Sequence, residues 1–536
     1  MNDCRLQIED CGLSAVDNPK SEIRNPKCAR RGMAVVLVLG LLALTLTLSY
    51  AMLRMEYQVE QSQTNISGLD KARLAAVTGI SVALRKMHDG TWAGVDTTLH
   101  GSLGSGVVYD VGFATGDPSL TSSHPSYGEY PYRVTLSSIG TAVDPAQPNA
   151  QVTYRVQTVA QLTRRQLNAA TTPSRWSQLN TYTVYQWNAS STPRDLPIEL
   201  PCQIRGNACF EGRLRLCQAY PKYQGSRERY LKDLKLFAQA GTDYRPFTGT
   251  VALDNTRQSG GVNSELTDWL GVNVVGISGN SSVPLTFPSG VTTYQLFSGG
   301  KVYAIPRLQD VLITPAKNQI LAPDPLTNPL GVFRTDGNWN FMMGSKLTGT
   351  LLCENSTAVI TLSGTGVQLS GMNLPNLEGS SASSQLPLAI VKNDVVAASS
   401  SISTINGLVI AWNQFVVSAG TKGTMLTLTG RVFADGFGIN ARTEWNAVSE
   451  VQWQQSLNDF LAQYNPLLFP LGLSEQYYPR WMERSPYLLV AAPKLNFAPP
   501  TNVTYHWPNW SQPIYVKADG DAGLRWNLVS WGESSQ

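Results

Sequence analysis

The stretch "CARRGMAVVLVLGLLALTLTLSYAMLRMEY", residues 28–57, sets the organisation of the whole chain. From Met33 to Leu53 it runs through 21 residues without a charge. A helix of that length rises about 31 Å, which matches the hydrocarbon thickness of a bilayer. No small-residue cleavage pattern follows the run, so it predicts a retained membrane helix. A buried core helix or a cleaved signal is the alternative.

The charges on either side of the apolar run predict its orientation. Four basic residues lie between positions 24 and 31, whereas Glu56 and Glu60 follow the run. Positive charge is retained in the cytoplasm, so residues 1–32 are expected to form a cytoplasmic leader. We therefore expect a single-pass protein of the cytoplasmic membrane, with its large C-terminal part in the periplasm or at the cell surface.

The composition agrees with export and excludes some partners. The 536 residues are 42% hydrophobic and only 15% charged, with 45 glycines, 31 prolines and a net charge of +3. So small a charge argues against nucleic acid as a partner. The apolar content argues against a disordered chain. The length suggests about two to four domains.

The helix is expected to continue beyond the membrane as an amphipathic segment over residues 54–90. Apolar side chains recur there mostly three or four positions apart, which marks one helical face, and Gly90 offers a stop. The alternatives are a helix packed on a domain core and one long helix, half in lipid and half under a globular head. The face comprises Met55, Val59, Ile66, Leu69, Ala76, Ile80, Leu84 and Met87.

These features together resemble the N-terminus of type IV pilins and of type II secretion pseudopilins. The form "RRGMAVVLVLGLLAL" followed by "ARLAAVTGISVAL" resembles PilX and K-type minor pilins more than major pilins. The resemblance implies that a prepilin peptidase cuts between Gly32 and Met33 and methylates the new amine of Met33. It also implies three partners, namely the lipid bilayer, the peptidase and other pilin-like subunits.

One departure from the major pilins concerns the fifth residue of the expected mature chain. Major pilins carry a glutamate there, which is thought to offset the amine of a neighbouring subunit, but this chain has Leu37. A buried charge without a partner is costly, so such a subunit docks poorly beneath another. K-type pseudopilins share this lack, and the resemblance implies a role at the filament tip or in initiation. The alternative is an ordinary signal anchor.

Residues 100–190 are expected to form a β-rich head of the α+β class. The segments "YPYRVTLSSIGTAV" and "AQVTYRVQTVAQLTRR" alternate with period two, which is typical of half-buried strands. One face would carry Tyr132, Val134 and Leu136. The segment "NTYTVYQWNAS" suggests a third strand, and a helix followed by antiparallel strands is the order of a pilin head.

Residues 200–445 favour a right-handed β-solenoid with inserted helices. Short apolar strands are centred on Leu352, Ile390, Ile410 and Phe433, at spacings of 38, 20 and 23 residues. The spacing indicates a repeat near 20 with one coil skipped. A β-sandwich remains the alternative. Amphipathic patterns predict helices over 226–241 and 451–465, the second within a 446–536 segment that ends in aromatic strands.

The exported cysteines are candidates for disulfide bonds, and their pairing is left open. Their spacing lacks the CxxC pattern of a zinc site, and buried thiols are the alternative. Three other cysteines lie in the leader, where thiols stay reduced. The candidates are Cys202, Cys209, Cys217 and Cys353.

No catalytic motif is present in the sequence. The four histidines have no paired spacing, and neither a P-loop nor a dinucleotide fingerprint occurs. We therefore predict no enzyme activity, no cofactor and no metal. Asp394 and Asp435 are the best carboxylates for glycan chemistry, but both are expected in turns. Asp519 and Asp521 suggest calcium without the glutamate of an EF-hand loop.

The sequence thus predicts an α+β, mainly β structural subunit of a bacterial pilus or secretion filament. A membrane-anchored adhesin and a glycan-acting solenoid enzyme are the rival hypotheses. The expected segments are a leader at 1–32, a membrane helix at 33–53, its continuation at 54–90, a head at 100–190, a solenoid at 200–445 and a tail at 446–536.

Overall fold

The structure is a computed structural model, and it describes most of the chain from Met33 onwards. The leader, Cys217, both predicted inserted helices, Asp519 and Asp521 lie outside the described residues. The described ranges are 33–144, 147–167, 175–198, 202–216, 246–258, 270–280, 282–312, 314–374, 382–398, 401–418, 425–440, 495–515 and 524–535.

The first helix, α1, runs from Met33 to Met87 as predicted and ends three residues before Gly90. Arg85 and Lys86 occupy its last turn, where positive charge complements the helix dipole. The chain divides into two compact units at Asp70 and Lys71, so α1 contributes to both. Within the first unit, the side chains from residue 34 to residue 67 are exposed.

The second unit consists mainly of strands. Short helical turns occur at Tyr127–Tyr132, which is a 3-10 helix, at α2 (Trp176–Leu179) and at α3 (Leu308–Val311). The strands in chain order are β1 Thr98–Gly104, β2 Val107–Thr115, β3 Arg133–Asp144, β4 Gln147–Arg164, β5 Val184–Gln186, β6 Asp195–Ile198, β7 Cys202–Ile204, β8 Ala208–Phe210, β9 Arg213–Leu216, β10 Val251–Asp254, β11 Val274–Ile277, β12 Thr293–Gln295, β13 Val302–Ala304, β14 Ile320–Leu321, β15 Val332–Thr335, β16 Trp339–Phe341, β17 Lys346–Thr348, β18 Thr350–Cys353, β19 Val359–Leu362, β20 Thr365–Ser370, β21 Asn373–Leu374, β22 Ser383–Gln385, β23 Ala389–Val391, β24 Asp394–Ala397, β25 Ile402–Ser418, β26 Met425–Asn440, β27 Leu495–Ala498, β28 Val503–Tyr505 and β29 Arg525–Ser535.

An antiparallel sheet with the order β1-β2-β3-β4-β29 forms the first layer of this unit. The predicted buried face is confirmed, because Tyr132, Val134 and Leu136 are at most 2% exposed. The predicted third strand is present as β5, which lies in another sheet. The last strand, β29, lies in the predicted aromatic tail and joins the antiparallel sheet beside β4.

The end of α1 packs on this sheet through small residues. A side chain at Gly140 of β3 would come within 1.9 Å of the carbonyl oxygen of Ala72, and one at Gly79 within 2.6 Å of Ser138. The predicted helical face is confirmed for Ala76, Ile80 and Met87, which are buried. Three other members of that face, Met55, Val59 and Ile66, are exposed. The side chains of α1 buried in the second unit are Ala72, Ala75, Ala76, Ile80, Ala83 and Met87.

A second sheet of nineteen strands, which we call the parallel ladder, stacks its strands in parallel on three faces. The second face contains the four residues that the sequence placed at strand centres, and each is paired with the next. Its continuous row is Arg334, Leu352, Ile390, Ile410, Phe433, Tyr185, Cys209, Ala252 and Val275. The first face has the row Leu321, Leu347, Leu369, Ile405, Leu428, Phe497 and Ile204. The third has Phe341, Leu362, Ala397, Val417, Ile439, Ile198 and Leu216.

Successive residues of β25 contribute to two different apolar cores, one on each side of the strand. Val409 and Ala411 of β25 belong to a core that all three faces of the parallel ladder share. Their neighbours Leu408 and Ile410 belong to a second core, together with Trp92 and other residues of the antiparallel sheet region. The second face of the parallel ladder is therefore buried on both sides, which explains its continuous apolar sequence.

The 38-residue gap in the predicted repeat does not contain a skipped coil, because Leu352 pairs directly with Ile390. The extra residues include β21 and β22, which leave the parallel ladder; β21 pairs with β22, and β22 pairs with β28. The stacking order also departs from the chain order. The strand β26 lies beside β5 and β6, so two segments that are remote in sequence meet at one junction.

Candidate functional site

The predicted processing site lies at the start of α1. Gly32 is outside the described residues, and Met33 is the first residue of the helix. Leu37, at the fifth position of the expected mature chain, is 61% exposed. No acidic residue lies in the first helical turn, so no carboxylate of that turn is available to pair with an amine.

The first unit carries an apolar surface that water does not favour. Large apolar side chains from Val35 to Val59 are more than half exposed, far beyond the patches usual on soluble monomers. The hydroxyl groups of Thr45 and Thr47 donate to the carbonyl oxygens of Leu41 and Ala43, at 3.0 and 2.6 Å. These polar groups therefore need no water, as a lipid environment requires.

Within the described residues, one helix is long and apolar enough to cross a membrane, and it is α1. The helix qualifies by its length and composition only, and none of its most apolar stretch is buried. A signal sequence near an N-terminus has the same properties. The predicted membrane-spanning helix is thus present as an element that could span a bilayer.

Polar groups at the end of α1 contact the last strand of the antiparallel sheet. Glu533 of β29 accepts hydrogen bonds from Arg73 at 3.0 Å and from the Tyr154 hydroxyl at 2.7 Å. His88 follows the helix, and its Nε2 accepts the backbone N–H of Trp526 at 3.2 Å. The end of α1 therefore contacts β29, which is remote in sequence, through polar groups.

The cysteine candidates do not form a reactive cluster in the part of the chain that the structure describes. Cys209 and Cys353 are buried and form no disulfide bond there, whereas Cys202 is buried at the start of β7. Burial raises the pKa of Cys353 to about 11 and the pKa of Cys209 further. Both thiols stay protonated at neutral pH and are therefore poor nucleophiles. Cys217 lies outside the described residues.

Asp394 and Asp435 were expected in turns, and this was wrong. Asp394 begins β24 and Asp435 lies within β26, where the side chains are fixed by packing. A short network connects them. Arg194 bonds Asp435 at 2.8 Å and Asn413 at 2.9 Å, and the Asn413 amide donates to Asp394 at 2.7 Å.

The network lies at the junction between the two remote segments of the parallel ladder. Asp435 is 4% exposed and also accepts the backbone N–H of Ala189 at 2.7 Å. Burial raises the pKa of both Asp394 and Asp435, although Arg194 acts in the opposite direction. Sequence reasoning missed Arg194, because nothing in its local sequence shows which carboxylate it will meet.

A second buried ionic group lies nearby in the parallel ladder. Glu211 is 1% exposed and accepts hydrogen bonds from Arg175 and from the Tyr185 hydroxyl, each at 2.6 Å. Asp254 pairs with Arg257 at 3.1 Å. Each buried carboxylate thus has a positive partner, which is the usual condition for burying charge. No group of three potential metal ligands occurs among the described residues.

A trough opens on the outer side of the third face. It has a volume of about 210 Å³ and is bounded by β25 on one side and β6 on the other, with β26 as its floor. Arg194 lies at one end. The lining residues are Arg194, Asp195, Pro197, Gln414, Val416, Gly436, Phe437 and Gly438.

The chain is similar to a solved pilin structure but matches neither a protein family nor a curated protein. No protein-family model matches the chain. No curated protein matches it either. A solved structure, the competence-associated pilin ComZ from Thermus thermophilus, is similar at 9% identity, covering 88% of this chain and 98% of that chain with a TM-score of 0.19. A superposition of that quality does not establish a common fold.

Proposed function

We propose that the chain is a minor-pilin-like structural subunit of a bacterial pilus or secretion filament. Its N-terminal helix stores the subunit in the cytoplasmic membrane and then packs among the helices of other subunits. Residues 1–32 face the cytoplasm before cleavage, and residues 71–536 are exported. The rival hypothesis is an anchored adhesin that never enters a filament.

A single feature of α1 carries this proposal. One continuous helix exposes its apolar side chains from Val35 to Val59 and then buries Ala72, Ala76 and Ile80 against strands. A helix that is hydrophobic all round needs lipid or other helices as its surroundings. The C-terminal half of α1 is amphipathic and docks on a sheet. This arrangement favours the hypothesis that α1 carries a globular head at its C-terminal end.

We infer that the exported part combines a pilin-like head with a β-solenoid. Three rows of directly paired residues along a parallel sheet support the solenoid, because each coil of such a fold buries its inward side chains by stacking. The antiparallel sheet, with the end of α1 on it, supports the pilin-like part. The two share an apolar core around Trp92, Phe297 and Trp526, whose rings lie 5.0 to 6.4 Å apart.

The most direct test is the mature N-terminus. In cells that contain a prepilin peptidase, we expect mass spectrometry of the membrane-extracted protein to show N-methyl-Met33, because cleavage follows Gly32. The variant Gly32→Leu is expected to keep the leader, and it serves as the matched control. An intact leader on the unaltered chain would favour the anchored adhesin, and a start well beyond Leu53 contradicts both proposals.

We propose a tip or initiation role from Leu37. A carboxylate at that position would offset the amine of a neighbouring subunit, and its absence favours a place with no subunit above. We expect Leu37→Glu to move subunits into the shaft, whereas the neutral Leu37→Gln does not. Immunogold labelling of purified filaments measures this, and equal labelling of shafts by both variants contradicts the proposal.

We also propose that the subunit acts without catalysis. Asp394 and Asp435 are engaged by Asn413 and Arg194, so neither carboxylate is free to transfer a proton without breaking a buried contact. Assays for lyase and hydrolase activity on polysaccharides should be negative. Activity that disappears in Asp394→Ala would establish the glycan-acting enzyme instead.

A further inference from the structure

We propose that the trough on the third face of the parallel ladder binds one residue of an uncharged sugar chain. The proposal does not depend on filament assembly, since the trough lies entirely among strands of the second unit. Its walls, floor and charges each support this ligand class.

The shape of the trough comes from two glycines on β26. Gln414 and Val416 of β25 pair with Gly436 and Gly438. The two glycines carry no side chain, so the surface of the sheet is lower along β26 than along β25. Strands lie about 4.8 Å apart, so the walls on β25 and β6 stand roughly 9.6 Å from each other. A single pyranose ring fits such a gap, whereas an α-helix does not.

The arginine at one end is held firmly while keeping hydrogen atoms to donate. Nη2 of Arg194 is engaged by Asp435 and Asn413, at 2.8 and 2.9 Å. Nη1 lies 3.0 Å from the position that a Cβ atom at Gly436 would occupy, so the glycine leaves it room that a larger residue would reduce. The backbone of Arg194 is fixed as well, because its N–H donates to Asn188 at 2.9 Å.

The charges at the trough are balanced, which favours a neutral ligand. Arg194 is neutralised by Asp435, and Asp195 is paired with Arg213 at 2.9 Å. An anion would gain little from Arg194 and would lie close to the carboxylate of Asp195. Fixed donors and acceptors without a net charge suit the hydroxyl groups of a sugar.

The remaining walls are apolar. Pro197 and Val416 face each other across Gly438, at the end of the trough away from Arg194. A pyranose has hydroxyl groups around its rim and C–H groups on its faces, so it can meet both kinds of wall at once. The trough is open along its length, which allows the sugar to belong to a longer chain.

Binding can be measured by calorimetry on the full chain in a zwitterionic detergent, because detergents with sugar head groups would compete. The probes are uncharged tetrasaccharides of glucose, galactose, mannose and N-acetylglucosamine, with tetragalacturonate and inorganic phosphate as charged comparisons. We expect at least one uncharged probe to bind with a dissociation constant below about 1 mM.

Two variants locate the site. Gln414→Ala removes a polar group from the wall, and Val416→Trp fills the trough; each should weaken binding about tenfold or more. Thr361→Ala, on the outer side of β19 but outside the trough, should bind like the unaltered chain. Thermal unfolding of each variant verifies that it is folded.

Three results would overturn the proposal. The first is that no uncharged probe binds with a dissociation constant below about 1 mM. The second is that binding survives in both folded trough variants. The third is that only tetragalacturonate or phosphate binds, which would make the trough an anion site.

Discussion

The antiparallel sheet and the parallel ladder bury their residues by different means. In the antiparallel sheet, β1 to β4 pair with their neighbours in sequence, and glycine and alanine bring α1 against them. In the parallel ladder, β26 meets β5 from far away in the chain, and a buried ionic network lies at that junction. The comparison teaches that close contact of small residues joins the elements of the first region, whereas the junction of remote strands in the second combines apolar pairing with a matched ion pair.

The largest expected effect comes from Asp435→Ala, which leaves Arg194 at the junction without its partner. Breaking a fully buried ion pair costs about 3–5 kcal/mol, but the Arg194 side chain is 35% exposed and keeps Asn413 as a partner, so the free energy of unfolding should fall by about 2–3 kcal/mol. Urea unfolding of the full chain in detergent, followed by tryptophan fluorescence, measures it.

The control for that substitution is Asp310→Ala, since Asp310 pairs with Arg307 in solvent at 2.6 Å. Exposed ion pairs add little to stability, so this variant should unfold at the same urea concentration as the unaltered chain. If the two variants behave alike, the junction network does not hold the remote strands together.

The next effect tests the antiparallel sheet through Gly140→Ala. The new methyl group would lie 1.9 Å from the Ala72 carbonyl oxygen, so the helix must move away from β3. Overpacking of this kind costs about 1–3 kcal/mol. Gly112→Ala, on β2 of the same sheet, meets nothing within 4 Å and should be nearly neutral. Equal unfolding midpoints for the two variants would refute the close contact.

A smaller effect concerns the hairpin that leaves the parallel ladder and pairs with β28. His506 follows β28, its Nε2 lies 3.2 Å from the Ser384 hydroxyl, and burial lowers its pKa. Below about pH 6.5 the unfolded chain binds a proton that the folded chain does not, so stability falls as the pH drops. One proton can change the free energy of unfolding by at most about 1.4 kcal/mol per pH unit.

The variant His506→Gln isolates this contribution. The difference in unfolding free energy between the unaltered chain and the variant should shrink as the pH drops from 7 to 5, because glutamine does not titrate. A difference that stays constant over that range would show that His506 is protonated equally in both states.

The smallest effect is expected for Glu533→Gln, which removes the charge that Arg73 meets on β29. The glutamine can still accept a hydrogen bond from Tyr154, and the pair lies in solvent, so the unfolding midpoint should not change measurably. A clear loss of stability would mean that charge, and not only small-residue packing, fastens α1 to the antiparallel sheet.

Much of the antiparallel sheet region could be predicted because its signals are local. Periodicity located α1 to within three residues of its end and identified the buried face of Tyr132, Val134 and Leu136. In the parallel ladder, spacing found Leu352, Ile390, Ile410 and Phe433, which the structure pairs in one row. The sequence could not show that successive residues of these strands belong to two different apolar cores, because the residues on both sides of the strands are apolar.

The polar groups at the junction and in the trough could not be predicted. Arg194 and Asp435 stand far apart in the sequence, and an aspartate followed directly by a glycine has the same local pattern as a turn. Their partnership depends on the stacking of β26 on β5 and β6, and this stacking order runs against the chain order.

The sequence by itself determined the long apolar helix, its amphipathic end and the strand-rich nature of the rest. These properties depend on residues a few positions apart, where helical and strand periodicity act directly. Only the tertiary structure decided that β29 closes the antiparallel sheet, that β26 lies beside β5, and that Asp435 is buried against Arg194. Such contacts depend on which remote segments exclude water from each other, and that is a property of the folded chain as a whole.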